Sequence, residues 1–416
     1  MDRPADAAVP HVRCCIVGGG PAGIMLGFLL ARAGIEVVVL EKHADFFRDF
    51  RGDTIHPSTL EVIRELGLLD AFLRLPHQEI RALAGQIGDV FLPLVDFTRL
   101  PTHCKFLAFM PQWDFLNFLA EQGRRYPGFR LQVETDVDEL IVEGERVVGV
   151  RARTPHGSYE VRADLIVAAD GRNSTVRARA GLEVVELGAP IDVLWFRIAR
   201  YPSDPRQVAG RADAGRIMVM LDRGDYWQCG FVIPKGAFER MQRQGIGAFR
   251  DAVATLAPFL RDRTGELAGW DAIRLLTVRV DRLRRWYRAG LLCIGDAAHA
   301  MSPIGGVGIN LAIQDAVAAA NVLVDPLRRG AVDVAQLARV QRRRQLPTSL
   351  TQAFQLAIQN RVIRRVLGET RPLKPPLILR VFAWWPALRR IPGRLIGIGV
   401  RPEHVRTPDA GARAAS

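Results

Sequence analysis

The stretch that most restricts the fold is VRCCIVGGGPAGIMLGFLLARAGIEVVVLEK, from Val12 to Lys42. An apolar run, Cys14 to Val17, enters a turn that carries Gly18, Gly20 and Gly23 in G-x-G-x-x-G spacing. Pro21 and Ala22 open a helix rich in small residues that runs to Ala33, and Glu36 to Leu40 reads as a second strand. This βαβ unit is the dinucleotide fingerprint. Gly18 permits the tight turn, Gly20 lets backbone approach a pyrophosphate, and Gly23 lets the helix pack on the strand. The helix start presents N–H groups and the positive end of its dipole to an anion. Glu41, followed by Lys42, lies eighteen residues after Gly23, where a carboxylate meets adenosine ribose hydroxyls. A transmembrane span is excluded because glycines, a proline and Arg32 interrupt the apolar run.

The 416 residues suffice for two or three domains. The net charge is +13, and lysine occurs only at Lys42, Lys105, Lys235 and Lys374, so the excess is nearly all arginine. Such a skew is compositional, and no nucleic-acid partner is expected. A basic surface still draws anionic cofactors or an anionic membrane. The five cysteines form neither a disulfide nor a zinc pattern, which suits a cytoplasmic protein, and no metal site is expected. No secretory signal is read in the polar start MDRPADAAVPH.

Further along, Pro57-Ser58 opens a helix with Leu60, Ile63, Leu66 and Leu69 at helical spacing, preceded by Arg51 and His56 in a loop. His56 reads as a loop or capping residue. Ile80 to Phe109 is β-like. Pro111-Gln112-Trp113 opens a helix to Arg124, and Arg130–Val150 with Tyr159–Val167 alternate like antiparallel strands. In DLIVAADGRNSTVR a buried strand ends at Asp170-Gly171, and Ser174 caps the next helix. Ile191–Ile198, Arg216–Leu221 and Tyr226–Ile233 read as antiparallel strands of a substrate domain, and Gly236–Leu260 as one helical excursion. In Gly290–Ala320 a strand ends at Gly295-Asp296. Pro303, Gly305, Gly306 and Gly308 then form a loop into a helix from Ile309 and Asn310, which again aims N–H groups outward. His299 reads as structural. Asp325-Pro326 ends that helix, Val334–Val366 reads as a helical pair, Arg342 to Arg344 as a solvated face, and Arg406–Ser416 as a disordered tail.

Three stretches in this order, GGGPAG at 18–23, DGRNSTVR at 170–177 and GDAAHAMSPIGGVGIN at 295–310, resemble the flavoprotein monooxygenases of the para-hydroxybenzoate hydroxylase type. The resemblance covers about Val12 to Val366. It implies an α/β fold: a Rossmann-like FAD-binding domain (12–79, 105–182 and 289–370), an antiparallel β-sheet substrate domain (80–104 and 183–288), and a C-terminal helical segment and tail (371–416). The implied cofactor is FAD, with NADPH or NADH as transient electron donor. No second G-x-G-x-x-G marks a separate nicotinamide domain. The implied chemistry passes oxygen from O₂ through a flavin C4a-hydroperoxide to an apolar, aromatic or polyketide-like small molecule.

The resemblance assigns Glu41 to the adenosine ribose, Arg51 to the diphosphate side, Gln112 to the ribityl region, and Asp296 to a ribityl hydroxyl. Asp170-Gly171 serves FAD and the nicotinamide donor, and Pro303 to Asn310 lies against the isoalloxazine ring, with Pro303, Gly305 and Gly306 nearest the chemistry. Trp195, Met218, Met220, Tyr226 and Gln228 are the expected substrate residues. Tyr226 and Gln228 share one strand face, with Trp227 on the other, so only one set can face the pocket. YWQCGFVIPKG is not the W-x-W-x-I-P of flavin-dependent halogenases, and the chain lacks the thioredoxin-like extension of phenol hydroxylase relatives. Prenyl reductases of the geranylgeranyl reductase type carry the same three motifs, and a flavin protein that sequesters an intermediate is a third reading. A monomer or homodimer is expected. Trp384-Trp385 beside Arg380, Arg389 and Arg390 predict peripheral contact with a membrane or with the protein's own surface.

Overall fold

A computed structural model of the chain describes residues 11–47, 54–205, 210–375, 381 and 384–413. Arg51 and Arg380 lie outside the described residues.

Strand His11–Val17 sits between Val37–Leu40 and Gly157–Ala168 and is parallel to both, with Cys14 opposite Val37 and Leu165. Leu291–Cys293 extends this sheet beyond Ala168, and Phe129–Gln132 extends it beyond Leu40, both in parallel. Parallel strands covered on both faces need apolar side chains on both, and VVVL at 37–40 is buried throughout. The alternating pattern from Arg130 predicted an antiparallel strand. Phe129–Gln132 is parallel because its partner is the fingerprint's second strand, and the antiparallel pairing begins with Asp136–Glu143 and Arg146–Thr154. Helices Pro21–Arg32 and Gly308–Arg328 pack on the sheet. The second is apolar enough to cross a membrane by composition, but 78% of its most apolar window is buried within the protein, so it is a core helix.

The second sheet has seven strands, in the order 274–276, 191–199, 226–234, 216–222, 210–213, 82–87 and 90–96. One face carries Leu194, Phe196, Met218, Met220, Trp227, Cys229 and Phe231, which pack with Phe249 and Val253 of helix Ile246–Leu256. The other face carries Val193, Trp195, Ile217 and Val232, packed with Ile363 and Leu367.

Several expectations are corrected. Gly236–Leu260 is two helices, Phe238–Gln244 and Ile246–Leu256, because Gly245 takes φ 87° between them. Pro326 does not end its helix, which runs to Arg328. A proline in the last turn removes only one ladder bond, and buried Leu323, Val324 and Leu327 hold the turn down. Leu69 opens a separate short helix, Leu69–Leu73. Val334–Val366 is not a helical pair. Val334–Ile358 passes through a wider turn, Gln359–Ile363, into Arg364–Leu367, with no glycine to break it. Arg344 is 1% exposed, not solvated, because Asp315 lies 2.9 Å from its Nε. The tail is ordered as far as it is described. Arg406 N–H donates to Asn321 Oδ1 (2.9 Å), Arg32 Nη1 donates to the Thr407 carbonyl (3.0 Å), and the Tyr126 hydroxyl donates to Asp409 Oδ2 (3.2 Å).

Helix Arg390–Gly397 lies across strand Val90–Asp96, where a Cβ on Gly393 would collide with the Asp96 carbonyl. Trp384 and Trp385 are exposed. All five cysteines are buried, and burial raises each thiol, Cys104 to about 11 and Cys15 to about 12.

Candidate cofactor site

The fingerprint turn is built by contact. Gly18 takes φ 105°, and a Cβ there would overlap the Ala169 carbonyl. A Cβ on Gly23 would overlap the Gly18 carbonyl. Gly20 differs: its Cβ would meet no protein atom within 4 Å, so this glycine leaves the start of helix Pro21–Arg32 open on its outer side. Glu41, 8% exposed, accepts the Gly19 N–H at Oε2 (2.8 Å) and the His43 N–H at Oε1 (3.1 Å). It is therefore fixed beside the turn, while Lys42 is exposed.

Asp170 follows the strand beside the fingerprint and accepts the Val176 N–H at Oδ2 (3.1 Å); its Oδ1 is buried with no hydrogen-bond partner among the described residues. Burial pushes its carboxyl up, against hydrogen bonds from Ser174 and Val176. Ser174 caps helix Thr175–Arg179 through the Arg177 N–H (2.9 Å). Arg172 reaches Asp296 (3.4 Å), and Arg177 Nη1 reaches Asp281 (3.3 Å) and the Ala297 carbonyl (3.4 Å). These bonds join the second sequence motif to the third.

Gly295 is the meeting point. Its φ is 58°, and a Cβ there would stand 3.1 Å from Ala22 Cβ of the fingerprint helix and 3.4 Å from Ala312 Cβ of helix Gly308–Arg328. Two helix N-termini and Asp296 thus converge. The Gly295 N–H donates to Asp315 Oδ2 (3.1 Å), which also accepts from His299 Nε2 (2.6 Å); Arg344 Nε donates to Oδ1 (2.9 Å). Burial acts to raise the Asp315 carboxyl, but His299 and Arg344 outweigh it and hold it below the usual carboxylate range. His299 is thus structural, 1% exposed and against the Trp286 ring.

The loop Pro303–Gly308 is held from two sides. Gln355 Nε2 donates to the carbonyls of Ser302 (3.0 Å) and Ile304 (2.8 Å), Gln359 Nε2 to Ser302 Oγ (2.5 Å), and Gln352 Nε2 to the carbonyls of Asp281 (2.7 Å) and Ala300 (3.0 Å). On the other side Thr54 Oγ1 donates to the Gly306 carbonyl (3.1 Å). Asn310 spends its side chain inside the protein: Oδ1 accepts from His56 N–H (2.9 Å) and Thr59 Oγ1 (2.7 Å), and Nδ2 donates to the Thr54 and Gly306 carbonyls. His56 precedes its helix but caps it with no side-chain bond; its ring Nδ1 donates to the Ile396 carbonyl (2.7 Å). Burial lowers His56 to about 4 against that bond. Gly305 and Gly306 have φ of 79° and 63°. Gly308 opens the helix, and its Cβ would meet no protein atom within 4 Å. The N–H groups of Gly308, Ile309 and Asn310 precede the first helical bond, Leu311 N–H to Val307.

The expected substrate residues do not converge. Trp195, Tyr226 and Gln228 share one sheet face by register. Met218 and Met220 point to the opposite, helix-covered face and are 0% and 1% exposed, so they are core residues. Alternation separates the two faces but does not say which one a helix covers. Gln112 is the first residue of its helix, Gln112–Arg124. The sequence reading missed Thr54, Asp315, Arg344, Gln352, Gln355 and Gln359. The glutamines carry a signal, polar residues at i, i+3 and i+7 on one helix.

FAD, the cofactor of the resemblance, fits these groups. Gly20 and Gly308 leave the starts of their helices open, Asp170 Oδ1 is buried with no hydrogen-bond partner among the described residues, and the Asp296 carboxylate follows Gly295, which packs between those two helices.

Comparison with known proteins agrees. The family model "FAD binding domain" matches residues 11–353. The chain is 35% identical over 394 residues to 6-methylpretetramide 4-monooxygenase of Streptomyces rimosus, covering 93% of each protein. It is 30% identical over 320 residues to a rifampicin monooxygenase of Streptomyces venezuelae, covering 72% of this chain and 61% of that protein. In fold it resembles the crystal structure of a probable FAD-dependent monooxygenase from Pseudomonas aeruginosa, with TM-score 0.73 and 22% identity over 86% of this chain and 98% of that one.

Proposed function

The chain belongs to the FAD binding domain family, as an FAD-dependent monooxygenase of the para-hydroxybenzoate hydroxylase type, and on that premise we propose that it takes electrons from NADPH or NADH and oxygenates an apolar, polycyclic aromatic or polyketide-like molecule. The relative that matches along 93% of both chains is named for action on 6-methylpretetramide, which supports this substrate class. The observation that carries the reading is the convergence at Gly295-Asp296 of the fingerprint helix and helix Gly308–Arg328, which the glycine loop leads into.

When bound, FAD supplies two-electron reduction and activation of O₂. The chain's residues supply position. Gly18, Gly20, Pro21, Ala22 and Gly23 take the diphosphate, a role the resemblance shares with Arg51. Glu41 takes the adenosine ribose, Asp296 and Gln112 the ribityl chain. Pro303 to Gly308 faces the ring, and the N–H groups of Gly308, Ile309 and Asn310 meet negative charge at its N1/C2=O edge without a side-chain cation. Asn310 contributes backbone only. Trp195, Tyr226 and Gln228 form the substrate side. The protein works in the cytoplasm as a monomer or homodimer, and Trp384 and Trp385 give it peripheral membrane contact.

The test is a screen of polycyclic phenols for stimulated NAD(P)H oxidation with matched O₂ consumption and an oxygenated product. Failure of the purified protein to take up FAD would overturn the reading. Reduction of a substrate double bond without O₂ uptake would place it with the prenyl reductases.

A further inference from the structure

The ordered C-terminal strap reaches the cofactor site through a chain of buried charges. Glu403 is 5% exposed, and its Oε1 accepts from Arg343 Nε (2.6 Å) and lies 3.5 Å from Arg344 Nη1. The same Arg344 nitrogen donates to the Arg401 carbonyl (3.4 Å). Arg401 takes φ 55°, an uncommon conformation for a side-chain-bearing residue, and this turns its carbonyl toward the guanidinium. The Glu403 N–H is fixed in turn by Gln314 Oε1 of helix Gly308–Arg328. From Arg344 the path continues to Asp315 (2.9 Å) and from Asp315 to the Gly295 N–H (3.1 Å), one residue from Asp296.

We propose that Glu403 is a positioning residue for FAD: by fixing Arg344, and through it Asp315, it sets the place of Gly295-Asp296 at the ribityl chain. The proposal rests on the FAD reading given above. The physical reason is that Arg344 and Asp315 are 1% and 0% exposed, so water cannot replace a lost partner. Loss of the strap's carboxylate leaves the guanidinium with one weak carbonyl contact on that side. Its pull on Asp315 then changes direction, and the Gly295 N–H follows the carboxylate.

The experiment measures the FAD dissociation constant by flavin fluorescence, and apoprotein melting, for wild type, Glu403→Ala, Glu403→Gln, Asp296→Ala and the double variant Glu403→Ala/Asp296→Ala. Residues linked through one network couple non-additively. Glu403→Ala is expected to weaken FAD about tenfold in wild type and less than about threefold when Asp296 is already alanine. Glu403→Gln, which keeps an acceptor, restores most of the affinity and is the readout if the alanine variant does not fold. Visible-region circular dichroism of bound flavin changes in Glu403→Ala and returns toward wild type in Glu403→Gln. Unchanged affinity in Glu403→Ala, or the same loss in both backgrounds, overturns the proposal. Wild-type protein that takes up no FAD overturns the functional reading instead.

Discussion

Gly306 and Gly308 stand two residues apart, yet the structure assigns them opposite responses to a side chain. At Gly308 the backbone is helical and an added Cβ meets no protein atom within 4 Å. Alanine there suits a helix better than glycine, by up to about 1 kcal/mol. Gly308→Ala and Gly308→Val should therefore melt, as apoproteins, within about 1 kcal/mol of wild type. The branched side chain would project toward the proposed ring position, and overpacking a close contact costs about 1–3 kcal/mol. FAD affinity in Gly308→Val should fall about ten- to a hundredfold, with flavin reduction slowed. At Gly306 the Cβ would overlap Thr54 Oγ1, and φ is 63°. Gly306→Ala loses about 1–2 kcal/mol to backbone conformation and about 1 kcal/mol with the Thr54 hydrogen bond. It should destabilise the apoprotein itself, and Thr54→Ala should relieve part of that loss. The assay pairs apoprotein melts with FAD titration and stopped-flow reduction. Wild-type FAD affinity and reduction rate in Gly308→Val would refute the placement of the ring, and a destabilised apoprotein would refute the claim of open space.

Two further outcomes are expected. Asp296→Ala should weaken FAD about ten- to a hundredfold, since a hydrogen bond to a charged group contributes about 1.5–3 kcal/mol; a folded variant with unchanged affinity would remove Asp296 from the ribityl chain. His56 titrates at about 4 in the folded protein against about 6.5 unfolded. The unfolded chain therefore binds the extra proton first, and His56 lowers stability as pH falls from about 6.5 to 4, by about 3 kcal/mol in all. Urea melts across that range should show a stability difference between wild type and His56→Gln that changes with pH; a constant difference would refute the assignment.

What the sequence revealed was set by distance along the chain. The fingerprint turn, Asp170-Gly171 and Gly295-Asp296 are legible because each needs only its neighbours: a strand, a glycine and a helix start. Asp315 and Arg344 are 29 residues apart and Glu403 is 59 beyond Arg344. A triplet of arginines therefore reads as solvated until the fold delivers a carboxylate to one of them. The same holds for the tail, whose order comes from Arg32, Tyr126 and Asn321. The two methionines fail for a different reason. Strand alternation sorts side chains into two sets, and it takes helix Ile246–Leu256 to seal the set with Met218 and Met220, while Ile363 and Leu367 pack on the other face.

The burial of all five thiols bears on how long such an enzyme lasts. A flavoprotein that reduces O₂ without oxygenating its substrate releases hydrogen peroxide, and peroxide oxidises cysteine through the thiolate. Cys14, Cys15 and Cys293 lie on core strands that lead into the glycine turns assigned to the diphosphate and the ribityl chain. Burial pushes all three upward, Cys15 to about 12, so at neutral pH almost none is ionised. The strands that lead into the cofactor turns thus carry sulfur in a form that resists peroxide, and futile turnover should leave sulfenic acid at none of these positions.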